Sequence, residues 1–414
     1  MRATLQRDHW LYIVGTISGG HFLSHFYILA FPPLFPMWKA QFGLSNTQLG
    51  FIMSASLIAS LFQVPVGNLV DRIGAKWVFT VGLLLTSGGV ALVGVADSYG
   101  LILLFAVVSG LGQVSFHPSD YAMINTVTDG STRGKGFSYH TFSGYLGFAA
   151  APVIVGTLAV ATSWQVALFV TGGFGLAYAL FAGGTLKPAY RQQLDQQVVD
   201  PDADDGGGSF VSEFTVLLKP TLLLVFLFFI VFTTAIKGIQ TFTTIGLVDS
   251  FSYAEAIGNT SLTVYFASAA VGILAGGVLA DRYRSERIIV GSLLVTAAAL
   301  VIATVFVFPI GVLATLGAFA VVGFFAGVVY PSRDQLISRF SADSSVGTSF
   351  GFVYTGTTIG GLVSPPILGR LIDLTAPWVV FIIISGSFAA GAGLIFVLST
   401  GRARLTGDPV TLDD

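Results

Sequence analysis

The sequence predicts an all-α membrane protein with twelve transmembrane helices in two pseudo-symmetric six-helix bundles. Three observations carry this expectation: too few charges for a water-facing surface, apolar runs of bilayer length, and motifs that recur in the second half. The 414 residues are 54% hydrophobic and 10% charged, with 50 glycines and 36 phenylalanines, and mean hydropathy is +0.82. Soluble domains average about 25% charged residues, so a string of soluble domains does not fit.

Twelve apolar stretches can be marked, at 10–37, 49–70, 77–96, 100–127, 137–162, 166–186, 221–249, 258–280, 288–308, 311–332, 348–372 and 378–399. Each approaches or exceeds the roughly 17–25 residues that a spanning helix needs. They are too long and too uniformly apolar for the alternating strands of a barrel. With both termini inside, fifteen lysines and arginines fall on the inner side, while Lys39 and Arg370 fall outside. The positive-inside rule favours that orientation. The N-terminus runs into the first apolar stretch without a small-residue cleavage site, so the first helix is expected to be retained.

The expected organisation is an N-terminal bundle at 1–186, a cytoplasmic linker at 187–220, a C-terminal bundle at 221–400 and a cytoplasmic tail at 401–414. The linker contains DQQVVDPDADDGGGS, an acidic, glycine-rich composition that cannot bury a core. A net charge of −2 leaves no basic patch for nucleic acid. Cysteine is absent, which excludes disulfides and thiolate chemistry. No cofactor is expected.

The halves repeat each other. Gly67-Asn68-Leu69-Val70-Asp71-Arg72 recurs as Gly277-Val278-Leu279-Ala280-Asp281-Arg282. Further on, Pro118-Ser119 pairs with Pro331-Ser332, Gly134 with Gly347, Phe137 with Phe350, Gly147 with Gly360 and Pro152 with Pro365, all at one offset. Ser45-x-x-Gln48 and Ser252-x-x-Glu255 both read as capping boxes opening the second and eighth spans. An ordered series of matches outweighs any single glycine coincidence. Parallel repeats about an axis along the membrane normal suit alternating-access transport.

Over nearly its whole length the chain resembles the major facilitator superfamily. The string G-x-L-x-D-R-x-G-x-K at Gly67 to Lys76 is similar to that superfamily's loop between spans two and three, with a shorter echo at Gly277 to Arg282. Two segments are similar to the fosmidomycin-resistance efflux branch: Gly20-His21-Phe22-Leu23-Ser24-His25, and Gly112-Gln113-Val114-Ser115-Phe116-His117-Pro118. Members of that branch often carry a carboxylate where His25 stands and another where Ser119 stands; here Asp120 is one position later. The resemblance implies that the loop of Gly67, Asp71, Arg72, Gly74 and Lys76, with Asp281 and Arg282, latches the halves when the transporter faces outward. The plainer alternative is a set of solvated loop charges that fix topology. Asp71 could accept from a neighbouring helix N-terminus, and Gly67 and Gly74 would permit close approach and a sharp turn.

A charge near the bilayer centre costs at least about 2.5–3.5 kcal/mol on insertion scales and so usually faces a cavity or a partner. The candidates for a substrate site are His21, His25, His117, Lys237, Gln240, Tyr330 and Arg333. They fall on the first, fourth, seventh and tenth spans, which the resemblance implies line the central cavity. His117 and Asp120, three residues apart on one face, are the candidates for proton coupling. Each has a bland rival: histidines in interhelical hydrogen bonds, Lys237 snorkelling to an interface, Asp120 or Arg333 in gate salt bridges with Arg72 or Arg282. His140, beside the loop, is read mainly as structural, and Asp334 as a gate residue. The His21-x-x-x-His25 pair alone makes no metal site, because zinc wants three or four ligands and the first span offers no carboxylate.

No G-x-x-x-x-G-K-[ST] loop occurs, so ATP is not the expected energy source, and no triad suggests an enzyme. The expected function is secondary transport of a small, anionic organic solute by a monomer in the lipid bilayer, with the proton as coupling ion and export as the direction. Proton-driven uptake of a carboxylate or sugar-like nutrient is the first alternative, and a non-transporting membrane sensor the second.

Overall fold

The computed structural model describes residues 9–186, 220–340 and 346–406, so the expected linker, apart from Pro220, and the end of the tail lie outside the described residues. Within them all regular structure is helical. The helices are α1 (His9–Ile28), α2 (Phe35–Phe42), α3 (Asn46–Leu57), α4 (Gln63–Ile73), α5 (Ala75–Val93), α6 (Tyr99–Gln113), α7 (Phe116–Val127), α8 (Arg133–Ala161) and α9 (Trp164–Thr185) in the first half. The second half holds α10 (Pro220–Phe251), α11 (Glu255–Ala280), α12 (Ser285–Ile302), α13 (Val312–Phe340), α14 (Val346–Leu374) and α15 (Val379–Thr406).

Nine helices or helix pairs among the described residues are long and apolar enough to cross a membrane, and ten if the 46–62 and 65–73 segments, bent by 59°, form one span. The expectation of twelve is met only to that extent. The two remaining runs are helical, as α1 and α14, but both are rich in serine, threonine and glycine, and α1 adds His21 and His25. That polarity lowers their mean hydropathy.

Helix contacts repeat across the halves. The packing of α1 on α8, α5 on α9, α3 on α6 and α5 on α6 is matched by α10 on α14, α12 on α15, α11 on α13 and α12 on α13. The halves meet along α3 against α14 and α8 against α11, themselves equivalent pairings. Small residues allow this approach: a Cβ on Gly50 would strike the carbonyl of Pro365, and one on Gly369 the carbonyl of Asn46. Helix association in lipid relies on such close packing, because lipid tails are as apolar as leucine. Leu180, Leu313 and Phe174 are more than 60% exposed, a surface that water would punish and hydrocarbon tolerates.

Local signals behave unequally. Ser45 accepts from the Gln48 amide while the Gln48 side chain accepts from the Ser45 amide, a complete capping box. Its supposed twin fails: Ala254 is the N-cap of α11, with no side-chain cap, and Ser252 lies at φ 56°. Glu255 therefore stands at the first helical position, two residues before the one from which a capping-box side chain reaches back. Gly74 has φ 91°, so the turn between α4 and α5 does require glycine. Gly67 has open space around it and makes no close approach.

Candidate functional site

The four intramembrane histidines gather in the first half. His21 stacks on His140 at 3.6 Å between ring centroids and lies 4.2 Å from His25 and 5.5 Å from His117. The His21 Nδ1–H donates to the His140 backbone carbonyl at 2.8 Å. His140 Nε2 meets Asp120 Oδ2 at 2.9 Å, with both side chains almost fully buried. The helix break between Gln113 and Phe116 presents His117, because Pro118 cannot donate to Val114 and the chain turns there instead. Ser115 Oγ donates to the Gly112 carbonyl at 2.7 Å, closing the buried turn. Gly144 makes the room on α8, since a Cβ there would collide with His21 and His25.

The second half supplies cations. Lys237 Nζ donates to Gln240 Oε1 at 2.7 Å. Lys237 also approaches Gly361, beside Leu57 of the other half. Arg333 lies over Tyr330, Phe229 and Phe232, 4.2, 5.0 and 5.5 Å from the ring centroids. Its Nε donates to Asp334 Oδ1 at 3.1 Å, and Tyr354 donates to the same carboxylate oxygen at 3.2 Å. Two aromatic contacts join the groups across the seam: Phe148, 4.2 Å from His25, stacks on Phe266, and Tyr145 packs edge-on against Tyr330.

Among the described residues, Asp120 and Arg333 make no salt bridge with Arg72 or Arg282. Asp120 pairs with His140 and Arg333 with Asp334, whereas Arg72 bonds Asn68 of its own helix and Arg282 is exposed. Asp334 here holds Arg333 and Tyr354, both of the second half. Asp71 and Asp281 are exposed and make no side-chain hydrogen bond among the described residues. Lys76 is buried, with its ammonium 5.0 Å from the Trp77 ring.

Cross-half polar contacts cluster at the opposite end. Asp373 of α14 accepts from the Asn46 and Thr47 amides at 2.9 Å, from Asn46 Nδ2 at 2.8 Å and from Thr47 Oγ1 at 2.6 Å. It caps the N-terminus of α3 from the other half. Lys39 pairs with Asp249 at 2.6 Å, and Ser54 Oγ donates to the Leu362 carbonyl at 2.5 Å. Sequence reasoning missed these contacts, and it gave no role to Gln113, which exchanges two 2.7 Å hydrogen bonds with Ser24. Nothing local in the sequence reveals that α8 lies against α1 and brings His140 to His21.

A polar interior enclosed by apolar helices in repeated halves defines a polytopic transporter. The Major Facilitator Superfamily family model matches residues 17–258 and 230–409, and the chain belongs to that superfamily; it is a multi-pass membrane transporter and not an enzyme. It is 26% identical over 370 residues to the fosmidomycin resistance protein of Escherichia coli (strain K12), covering 88% of this chain and 87% of that one. It is 23% identical to the hexuronate transporter of Bacillus subtilis (strain 168), covering 89% and 88%. Among solved structures it is similar to a bacterial homolog of the human lysosomal transporter Spinster in an inward-facing, occupied conformation, with TM-score 0.76, 14% identity and 97% of both chains covered.

Proposed function

We propose that this chain exports a small organic anion across the cell membrane, driven by protons, through alternating access between two six-helix bundles. The carrying observation is the pairing across one seam of an imidazole–carboxylate group, His21, His25, His117, His140 and Asp120, with Lys237, Gln240, Tyr330 and Arg333. Lysine and arginine in a low-dielectric space suit an anionic cargo. Imidazole titrates near pH 6.5 when unperturbed, which suits a site that takes up a proton on one side and releases it on the other. His117 and Asp120 are the coupling groups in this reading, and His140 holds Asp120.

With the termini in the cytoplasm, the end bearing the Asp373 cap and the Lys39–Asp249 pair faces outward and is closed. The chain is then inward-facing, and the Gly67–Lys76 loop, with Asp281 and Arg282, would engage only when the inner end shuts. That fits the exposed Asp71. The fosmidomycin resistance relative supports export; the hexuronate transporter supports a second reading, uptake of a carboxylate by proton symport.

The test is a compound library assayed in vesicles carrying the purified monomer and an imposed pH gradient. At least one organic anion is expected to move faster than in empty vesicles, with flux that follows the gradient. In cells, collapsing the gradient should raise accumulation under export and lower it under symport. No flux above empty vesicles in either gradient direction would overturn the proposal.

A further inference from the structure

We propose that His21, His25 and His117 form a binding site for a divalent transition metal ion of the zinc class. His21 and His25 stand one turn apart on one face of α1, a spacing that directs two imidazoles at one ion. The third ligand, invisible in the sequence, comes from α7: one ring nitrogen from each of the three lies within 4.8 Å of the others. A tetrahedral ion with bonds of 2.0–2.1 Å needs ligand nitrogens about 3.3 Å apart, a closure that rotation of the half-buried His25 and the exposed His117 supplies.

The hydrogen bonds favour the ion. The His21 Nδ1–H is committed to the His140 carbonyl, which fixes the tautomer with a bare lone pair on Nε2. Metal-ligating histidines almost always donate their second ring N–H in this way. His21 Nε2 is buried and has no hydrogen-bond partner among the described residues. His21 is 3% exposed, so bulk solvent does not reach that lone pair. Asp120 belongs to an alternative set with His21 and His140, but its contact with His140 is already made at 2.9 Å and metal would have to break it. Three imidazoles leave the ion a net double charge and an open position. The ion and the proposed coupling proton compete for His117; under the proposed organic-anion cargo, an oxygen of the cargo would take the open position of the metal-loaded form.

Binding can be measured without transport. The full chain, purified in detergent without a histidine tag, is titrated with Co²⁺ and followed by its ligand-field absorption, and with Zn²⁺ by calorimetry. One ion per chain is expected, with a tetrahedral Co²⁺ spectrum. H21Q, H25Q and H117Q should each weaken binding at least about tenfold, while H9Q, at the start of α1, should bind as wild type does. Zn²⁺ should also raise the thermal midpoint of wild type and not of the three variants, which separates lost ligation from lost folding. No saturable binding to wild type, undiminished binding in H25Q and H117Q, or loss in D120N alone would overturn the site. Cargo and gradient are absent from the measurement, so a failed flux assay leaves it standing.

Discussion

Arg333 shows how a buried charge is held. Three aromatic faces and the Asp334 carboxylate surround its guanidinium, and a lysine could supply the charge but neither the planar stacking nor the fork. R333K should insert normally and raise KM for the transported anion about tenfold, a loss near 1.4 kcal/mol, readable in vesicle flux kinetics. Asp120 makes a sharper test of coupling. D120N should abolish gradient-driven flux while leaving gradient-free exchange of labelled cargo intact; equal loss of both would mean a structural role. The residue types at these positions were legible in the sequence, since a lysine, an arginine and four histidines in apolar runs demand partners. The partners were not. His140–Asp120 and Arg333–Asp334 are choices among several charges within reach, and helix rotation makes the choice.

At the scale of elements, the start of α8 depends on Asp129, which accepts hydrogen bonds from the Ser131 and Thr132 amides and hydroxyls. Those hydrogen bonds, led by the Ser131 hydroxyl, hold its carboxyl down to about 2. An unfolded aspartate titrates near 3.9, so the ionised cap favours the ordered turn above about pH 4, and the benefit vanishes as pH falls through about 2. Amide exchange at 131–136, corrected for intrinsic rates, should accelerate across that window in wild type and be fast at every pH in D129A. Asp373 does comparable work between halves. A lost N-cap costs about 0.5–2 kcal/mol, so D373A should shift the proposed alternating-access balance toward opening of the Asp373 end, seen as faster alkylation of a cysteine placed at Ser54. The capping box at Ser45 was readable because its partners lie within one turn. The false box at Ser252 shows the limit: the pattern was present, but the chain entered α11 through a left-handed residue.

For the whole molecule, the Asp373 end of the seam between the halves rests on close backbone packing and the Asp373 cap more than on the Lys39–Asp249 pair. That pair is about one-third exposed on the lysine side, and such pairs contribute roughly 0–1 kcal/mol. A double-mutant cycle on it should therefore return less than about 1 kcal/mol. Locking is the stronger test. The chain has no native cysteine, so T47C paired with D373C can be joined by a short thiosulfonate cross-linker. Flux should stop on cross-linking and return with reductant; persistent flux would refute closure and opening at this end. The sequence by itself determined the helical membrane class, the duplicated halves and the polar residues that require a protein interior, because hydropathy and repeat spacing are properties of the chain read in order. Only the tertiary structure decided which histidines meet, which acid each base pairs with and where the polar contacts between the halves fall. Those outcomes depend on helix rotation and on contacts between residues hundreds of positions apart, where the local sequence exerts no force.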